Sequence, residues 1–222
     1  VAVPSQDMVL GIYYLTQDRP GAKGEGKYFK SKNEAILAYE NGAVTLHSKI
    51  KVRVTRTMED GTEMTGVIET TVGRILFNEI IPQDLGFVDR TIPGNELKME
   101  VDFLVKKKQL KQILEKVINT HGAMQTAITL DDIKAIGYKF STRAAMTVSV
   151  SDMTVPASKK QLLADAEATV DKIAKNFRRG LITEEERYRE VITVWQQTDN
   201  QLTHDLLTGL DKYNNIFMMA DS

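Results

Sequence analysis

Three features of the sequence predict an α+β fold: a small mixed α/β body with a β-hairpin, plus a protruding antiparallel two-helix coiled coil. Apolar residues alternate with polar ones over positions 44–54, which is typical of a half-buried strand. They recur at helical spacing over positions 110–118. From Ser158 onward, a narrow apolar stripe follows the spacing of a coiled coil.

The N-terminal part contains a buried element, a loop and a short helix. The apolar run MVLGIYYL (8–15) is compatible with a strand or another short buried element. Glycine and proline in DRPGAKGEGKYF (18–29) predict a loop. KSKNEAILAYENG is typical of a short helix, with Asn33 as a candidate N-cap and Gly42 just past its end.

A β-hairpin is predicted next. Its first strand begins at Val44, with apolar residues on one face and Lys49, Lys51 and Arg53 on the other. The pair Asp60-Gly61 supplies a turn, and the return strand is Met64 to Val72. The sheet therefore has one wet, partly basic face.

More helical segments follow the hairpin. After the short apolar stretch GRILFNEIIP, residues 97–122 are helical in their second half, and Gly122 fits the position just past the helix end. Thr129 is a candidate start for another helix, with Asp131 and Asp132 in its first turn. MTVSVSDMTVP alternates as a short strand that ends before Pro156.

Two long polar helices joined by a tight turn are predicted from Ser158 onward. The first carries an apolar stripe of Leu162, Ala166, Val170, Ile173 and Phe177, and the second one of Tyr188, Val191, Trp195, Leu202 and Leu206. Gly180 can adopt the left-handed conformation that ends a helix. Thr183 and Glu186 match the capping box that begins one. An antiparallel coiled-coil hairpin on the order of 30 Å long is expected.

The tip of this hairpin has two interpretations. It is either a solvated turn whose charges keep the chain soluble, or a docking post for another protein. The second gains weight because Phe177, Leu181 and Ile182 lie close to the turn among charges of both signs.

The amino-acid composition excludes several kinds of binding site. The chain has 222 residues, 29 Lys and Arg against 30 Asp and Glu, a net charge of −1 and no cysteine. A polyanion must therefore be recognised by a local patch, and disulfides and thiolate metal sites are excluded. No apolar run is long enough to span a bilayer, and a cytoplasmic protein is expected.

No motif of a self-sufficient active site occurs. The phosphate-binding G-x-x-x-x-G-K-[ST], the zinc motif H-E-x-x-H and the nucleophile motif G-x-S-x-G are missing, and KGEGK (23–27) lacks the context of a phosphate loop. His47, His121 and His204 fall on different predicted elements. We therefore expect no catalytic residue and no metal ligand in this sequence. Its two ends suggest an excised segment of a longer polypeptide.

Five motifs carry a resemblance to a known family. VPSQDMVLGIYYLT, KGEGKYF, TTVGRILFNEIIP, GLITEEERY and NNIFMMADS occur in this order along essentially the whole chain. In this respect the sequence resembles the β′ subunit of bacterial DNA-directed RNA polymerase, a nucleotidyltransferase, in the segment just downstream of its catalytic aspartate motif.

The resemblance implies a role without catalysis. The matching region of the family forms the pore and funnel of the secondary channel, through which nucleoside triphosphates enter and backtracked RNA is extruded. The coiled coil is similar to the rim helices, where transcript-cleavage factors and related regulators dock. The Mg²⁺ of the intact enzyme is bound by residues outside this sequence, so no cofactor is expected here and the isolated segment should be inactive.

The resemblance also implies site residues and partners. Gln6, Arg143 and Met219 match positions near the RNA 3′ end and the nucleotide. The residues of the docking tip are Phe177, Arg178, Arg179, Gly180, Leu181, Ile182, Glu184, Glu185, Glu186 and Arg187. The implied partners are the β, α, ω and σ subunits, the rest of β′, channel-binding factors, nucleoside triphosphates and the RNA 3′ end, with no membrane.

Three regions are expected: 1–156 as the pore, 157–210 as the coiled-coil hairpin, and 211–222 leading toward the trigger-loop region. The alternative function is a free-standing coiled-coil adaptor with no enzymatic context.

Overall fold

The computed structural model describes residues 3–58 and 61–222 and divides into two compact units. The first unit contains the chain up to Met146 together with Asp221 and Ser222, and the second runs from Thr147 to Ala220. In the described residues the first unit combines helices with a three-stranded sheet, and the second is helical. The predicted α+β class is confirmed.

The first unit is built from seven elements in the described residues. In chain order they are α1 (Asp7–Thr16), β1 (Tyr28–Phe29), α2 (Lys32–Glu40), β2 (Ile50–Thr57), β3 (Glu63–Thr70), α3 (Val72–Glu79) and α4 (Lys107–Ala144).

The sheet confirms the predicted hairpin and shifts its ends. β2 pairs antiparallel with β3, and β1 adds a short parallel strand on the other side of β2. The first strand begins at Ile50 rather than Val44. Val44 and Leu46 are buried in the core from the turns that precede it. Gly61 has φ of +80°, as a tight turn requires, and Asp60 lies outside the described residues.

The return strand ends at Thr70 because a helix begins immediately after it. The Thr71 side chain accepts a hydrogen bond from the Arg74 N–H and caps α3. The apolar stretch that ends at Pro82 is therefore mostly helical. At the second short helix, the N-cap of α2 is Ser31, which accepts from the Glu34 N–H, so the prediction of Asn33 as the cap was wrong.

The apolar run at residues 8–15 forms α1, not a strand. It is apolar on all sides because α1 is buried on nearly all sides, so no helical period was visible in the sequence. Its glycine allows a close approach: a Cβ on Gly11 would lie 1.9 Å from the Gly137 carbonyl oxygen of α4. This crossing packs the first helix of the unit against its last helix.

The long helix α4 is interrupted at Gly122, which has φ of +77° and ψ of −175°. The predicted end of a helix at Gly122 is confirmed, but the next helical segment follows at once. Thr129 therefore lies inside that segment as a buried residue rather than at its start. Asp131 pairs with Lys134 at 3.7 Å along the helix surface and is not in a first turn.

The predicted strand before Pro156 was wrong. Residues Val150–Asp152 form a single 3₁₀ turn in the second unit. Ser149 and Asp152 cap it reciprocally, and such short polar side chains compete with strand pairing. Among the described residues no strand pairs with this segment, and Val150 remains 91% exposed.

The second unit contains α5 (Lys159–Arg178), α6 (Glu184–Gly209) and most of α7 (Asn215–Asp221). α5 and α6 pack against each other as an antiparallel pair. The Ser158 hydroxyl at the start of α5 donates to Asp205 near the end of α6, which fixes the pairing at one end. In α5, Ala166 and Ile173 are buried in the seam as the stripe predicted.

The seam of α6 agrees with the predicted stripe at Val191 and Leu202, which are half-buried, and differs from it at the aromatic positions. Val191, Val194 and Thr198 are half-buried, whereas Tyr188 is 62% and Trp195 39% exposed. The sequence predicts the aromatic residues in the seam because they are large and apolar at heptad spacing. In the structure, smaller residues fill it.

Candidate functional site at the hairpin tip

The turn between α5 and α6 is closed by its own backbone. The Leu181 N–H donates to the Asn176 carbonyl at 3.0 Å, and the Gly180 N–H donates to the Phe177 carbonyl at 2.8 Å. Gly180 has φ of +74°. These two bonds around a left-handed glycine form a Schellman motif, which satisfies the last carbonyls of α5.

The start of α6 is closed by the capping box that the sequence predicted. Thr183 Oγ1 accepts from the Glu186 N–H at 3.3 Å. In return, Glu186 Oε2 accepts from the Thr183 N–H at 2.7 Å and from its hydroxyl at 2.9 Å. The backbone hydrogen bond from Thr183, followed by that from its hydroxyl, lowers the pKa of the Glu186 carboxyl.

A third contact joins the two helices at the tip. Arg187 donates to both carboxylate oxygens of Glu184, with Nε 2.8 Å from Oε2. Its guanidinium carbon lies 5.6 Å from the centre of the Phe177 ring, within the range of a cation–π contact. The hydrogen bond lowers the pKa of Glu184 and raises that of Arg187, so both stay charged near neutral pH.

The remaining tip residues are largely open to solvent. Leu181 is 67% and Phe177 38% exposed, and Ile182 is half-buried. Four charged residues of the predicted docking set, of both signs, are exposed: Arg178, Arg179, Glu184 and Glu185. The tip thus presents the apolar side chains of Leu181 and Phe177 among charges of both signs.

Gln6 has an unusual backbone. Its φ of +51° and ψ of −124° match the first central position of a type II′ turn, which favours glycine. The turn is closed by a hydrogen bond from the Met8 N–H to the Ser5 carbonyl at 3.2 Å. The exposed Gln6 side chain makes no capping bond to α1. A strained residue that the local helix does not use is a candidate for a functional role.

Gln6 and Arg143 belong to parts of the chain that pack together, at α1 and α4. Gln6 precedes α1, and Arg143 lies exposed in the last turn of α4, 5.7 Å from the centre of the Phe140 ring. Met219 lies on α7 in the second unit and is 41% exposed. The proximity of these residues to RNA stays a prediction.

Asp221 makes long-range contacts that the sequence did not predict. Asp221 accepts hydrogen bonds from the buried Tyr13 hydroxyl at 3.0 Å and from Lys106 Nζ at 2.7 Å. The Lys107 N–H donates to the adjacent Ser222 carbonyl at 2.9 Å. These groups are more than a hundred residues apart in the chain, so no local pattern could have revealed them.

Neither a metal cluster nor a membrane-spanning helix is found in the described residues. No three His, Asp or Glu side chains there converge on a common point, and no helix there combines the length and apolarity needed to cross a bilayer. His47 Nε2 lies 2.7 Å from the Tyr14 carbonyl oxygen, and His121 Nε2 lies 2.7 Å from Asp84 Oδ1. These two histidines have separate structural partners.

Comparison with known proteins places this geometry in a family. Residues 1–153 match the family described as RNA polymerase Rpb1, domain 3. The whole chain aligns with proteins named DNA-directed RNA polymerase subunit beta′. It is 68% identical to that of Lachnoclostridium phytofermentans, 54% to that of Clostridium novyi and 55% to that of Clostridium botulinum strain Langeland.

The chain spans 18% of the Lachnoclostridium subunit and 19% of each of the two Clostridium subunits. Its match to domain 3 ends at residue 153, before α5, while the similarity to the β′ subunits continues through the hairpin to Ser222. The chain therefore belongs to the family of DNA-directed RNA polymerase β′ subunits.

Proposed function

We propose that this chain forms the pore and rim of the secondary channel of RNA polymerase, and that the tip of its α5–α6 hairpin docks channel-binding transcription factors. The observation that carries the docking proposal is the construction of the tip. Its backbone is closed by a Schellman motif and a capping box, while the Leu181 side chain is 67% exposed.

A tip that is ordered before binding favours association. A flexible loop loses conformational entropy when a partner fixes it, and this loss weakens binding. Here the turn between Gly180 and Thr183 is held by backbone and capping hydrogen bonds that need no partner. A factor can therefore contact a preformed surface.

The side chains of the tip add electrostatic and apolar contributions to binding. Exposed charges of both signs guide the orientation of an approaching protein and raise its association rate. Leu181 offers an exposed apolar side chain among these charges, which a partner can cover. Arg187 is fixed by Glu184 and Phe177 and presents a guanidinium in a defined position.

The first unit has a different proposed task. Gln6 and Arg143 contact the RNA 3′ end or the entering nucleoside triphosphate. Separately, Met219 of the second unit leads toward the nucleotide. The strained backbone of Gln6 and its exposed side chain support this assignment. Nucleotidyl transfer itself, with Mg²⁺, belongs to other parts of the enzyme, so the contribution of this segment is access and regulation.

The proposal includes the cellular setting. The chain acts with the rest of β′ and with the β, α, ω and σ subunits in the cytoplasm. No observation favours a free-standing coiled-coil adaptor, since the whole chain aligns within much longer β′ subunits.

A variant of Leu181 tests the docking function. Leu181→Ser keeps both backbone bonds of the Schellman motif but removes the apolar side chain. In the assembled polymerase, the affinity for a transcript-cleavage factor should fall about tenfold, as expected for loss of an interface anchor. Leu207→Ser, at an exposed position of α6 far from the turn, is the control. Equal affinities of the two variants would refute the docking proposal.

A further inference from the structure

One face of the sheet in the first unit carries more cations than anions. We define the basic face as Tyr28, Lys30, Lys32, Lys51 and Arg53, all exposed except for the half-buried Lys32. None of its four cations forms an ion pair within 4 Å with a described residue. This local excess stands out in a chain whose net charge is −1.

The strands arrange these residues in rows. Tyr28 of β1 lies beside Lys51 of β2, and their side chains share the exposed face. Arg53 lies two residues further along β2, about 6.6 Å from Lys51 along the strand. Lys30 and Lys32 border Arg53 across a hollow of about 350 Å³.

Few anions or apolar groups accompany the basic face. Glu69 is the cross-strand partner of Lys51, and Glu34 accepts from the Lys30 N–H. The apolar neighbour is Val67, which is opposite Arg53 and 52% exposed. Lysine is depleted in the cores of protein–protein interfaces, so this composition favours a polyanion over a protein surface.

We propose that the basic face binds single-stranded RNA. Cations at intervals along an extended strand can follow successive phosphates, and the Tyr28 ring, which is 52% exposed, can stack on a base. A base within a duplex does not offer its face for such stacking, so a single strand is required. RNA is the single-stranded product of the enzymes to which this family belongs.

This surface is distinct from the hairpin tip and does not depend on factor docking. It involves residues of β1, β2 and the start of α2. Variants of the basic face should therefore leave the affinity for a transcript-cleavage factor unchanged, which separates the failure of one proposal from the failure of the other.

A site-specific crosslink provides the test. Polymerase is assembled with Val67→p-benzoylphenylalanine in β′, mixed with labelled oligouridylate and irradiated. We expect a crosslink to RNA whose apparent affinity falls as salt rises. Lys51→Gln with Arg53→Gln should reduce the slope of log affinity against log salt by about 1.4, or roughly 0.7 for each lost phosphate contact. The matched control is Lys108→Gln with Lys111→Gln, at exposed positions on α4.

Two matched variants of Tyr28 test the stacking contact. Tyr28→Leu should weaken the RNA crosslink about five- to hundredfold, whereas Tyr28→Phe, which keeps the ring, should preserve it. The proposal is overturned if the probe at Val67 crosslinks only to protein, or if neither the charge variants nor Tyr28→Leu alter the RNA crosslink. A preference for single-stranded DNA of the same length would also overturn it.

Discussion

The Arg187 guanidinium at the start of α6 lies over the Phe177 ring in the last turn of α5, at 5.6 Å from guanidinium carbon to ring centre. The same group pairs with Glu184. One side chain thus joins both helices and a carboxylate across the turn. Because Phe177 and Arg187 are ten residues apart in the chain, this contact forms only when the turn is closed.

Replacing this arginine should loosen the tip without unfolding the helices. Arg187→Lys keeps the positive charge but loses the planar group that stacks on Phe177 and forms two bonds with Glu184. We expect faster amide hydrogen exchange at Gly180 and Leu181. Arg189→Lys, at an exposed position without these contacts, should show no change. Equal exchange rates in both variants would mean that the stack does not order the tip.

The turn itself can be tested through its glycine. Gly180→Val should destabilise the protein by about 1 kcal/mol or more, because a β-branched residue is strained at φ of +74°. No atom lies within 4 Å of the added Cβ, so steric overlap does not contribute.

Gly209→Val is the matched control, because its surroundings are equally open and its φ is not left-handed. Chemical denaturation of the two variants compares them directly. A loss of stability as large for Gly209→Val as for Gly180→Val would show that backbone strain is not the cause.

Local signals in the sequence predicted the hairpins and the tip well. The glycine and the capping box define the turn between α5 and α6 within a few residues, so the pattern at 180–186 is sufficient by itself. The same holds for the alternation at Ile50, Val52 and Val54, which matches the partly buried face of β2.

Long-range packing decided the features that the sequence did not reveal. The run at 8–15 forms the helix α1, which Gly11 allows to cross α4 at close range, and this contact joins residues more than a hundred positions apart. In α6, Val194 is half-buried and the neighbouring Trp195 is 39% exposed, a difference that depends on packing against α5. Neither feature can be predicted from the periodicity of apolar residues along the sequence.

The α1–α4 crossing yields a prediction for the core. In Gly11→Ala, the new Cβ would lie 1.9 Å from the Gly137 carbonyl oxygen, so the helices must separate. Overpacking of this kind costs about 1–3 kcal/mol, and more when backbone atoms clash. Thermal melting of Gly11→Ala should show this loss, whereas Gly21→Ala, which has open space around it, should lose only the amount due to its positive φ.

The backbone strain at Gln6 should lower the stability of the protein while serving its activity, and a glycine variant tests both effects. Gln6→Gly should raise stability by about 1 kcal/mol, because glycine tolerates the positive φ that costs Gln6 about 1–3 kcal/mol. The assembled polymerase should at the same time lose elongation activity, since the proposed contact with RNA or nucleotide is removed.

Ala145→Gly is the control for this pair of effects. Ala145 also has a positive φ, of +47°, at the end of α4, and glycine should stabilise it to a similar degree. Elongation rates should then remain normal. If Gln6→Gly also elongates normally, the strain at Gln6 has no role in the reaction.

Glu186 should have two separable roles, in capping and in docking. Its carboxylate accepts the Thr183 N–H and hydroxyl, and the amide oxygen of Glu186→Gln can still accept them, so the melting temperature at neutral pH should barely change. The Thr183 backbone bond lowers the folded-state pKa of Glu186 below its ordinary value of 4.5. This contribution to stability is therefore present above pH 4.5 and is lost as the pH falls through the lowered value. The Gln variant should lack that acid-dependent loss.

The proposed docking role should depend on the charge of Glu186. At an exposed tip, the Glu186 carboxylate can meet a basic group of a channel-binding factor, and its removal should weaken binding in the assembled enzyme tenfold or more. Affinity for a transcript-cleavage factor and melting temperature are measured on the same Glu186→Gln enzyme, with Glu167→Gln, an exposed carboxylate on α5 away from the turn, as the control. If affinity is unchanged, or falls only in step with lost helicity, Glu186 acts as a capping residue and takes no part in docking.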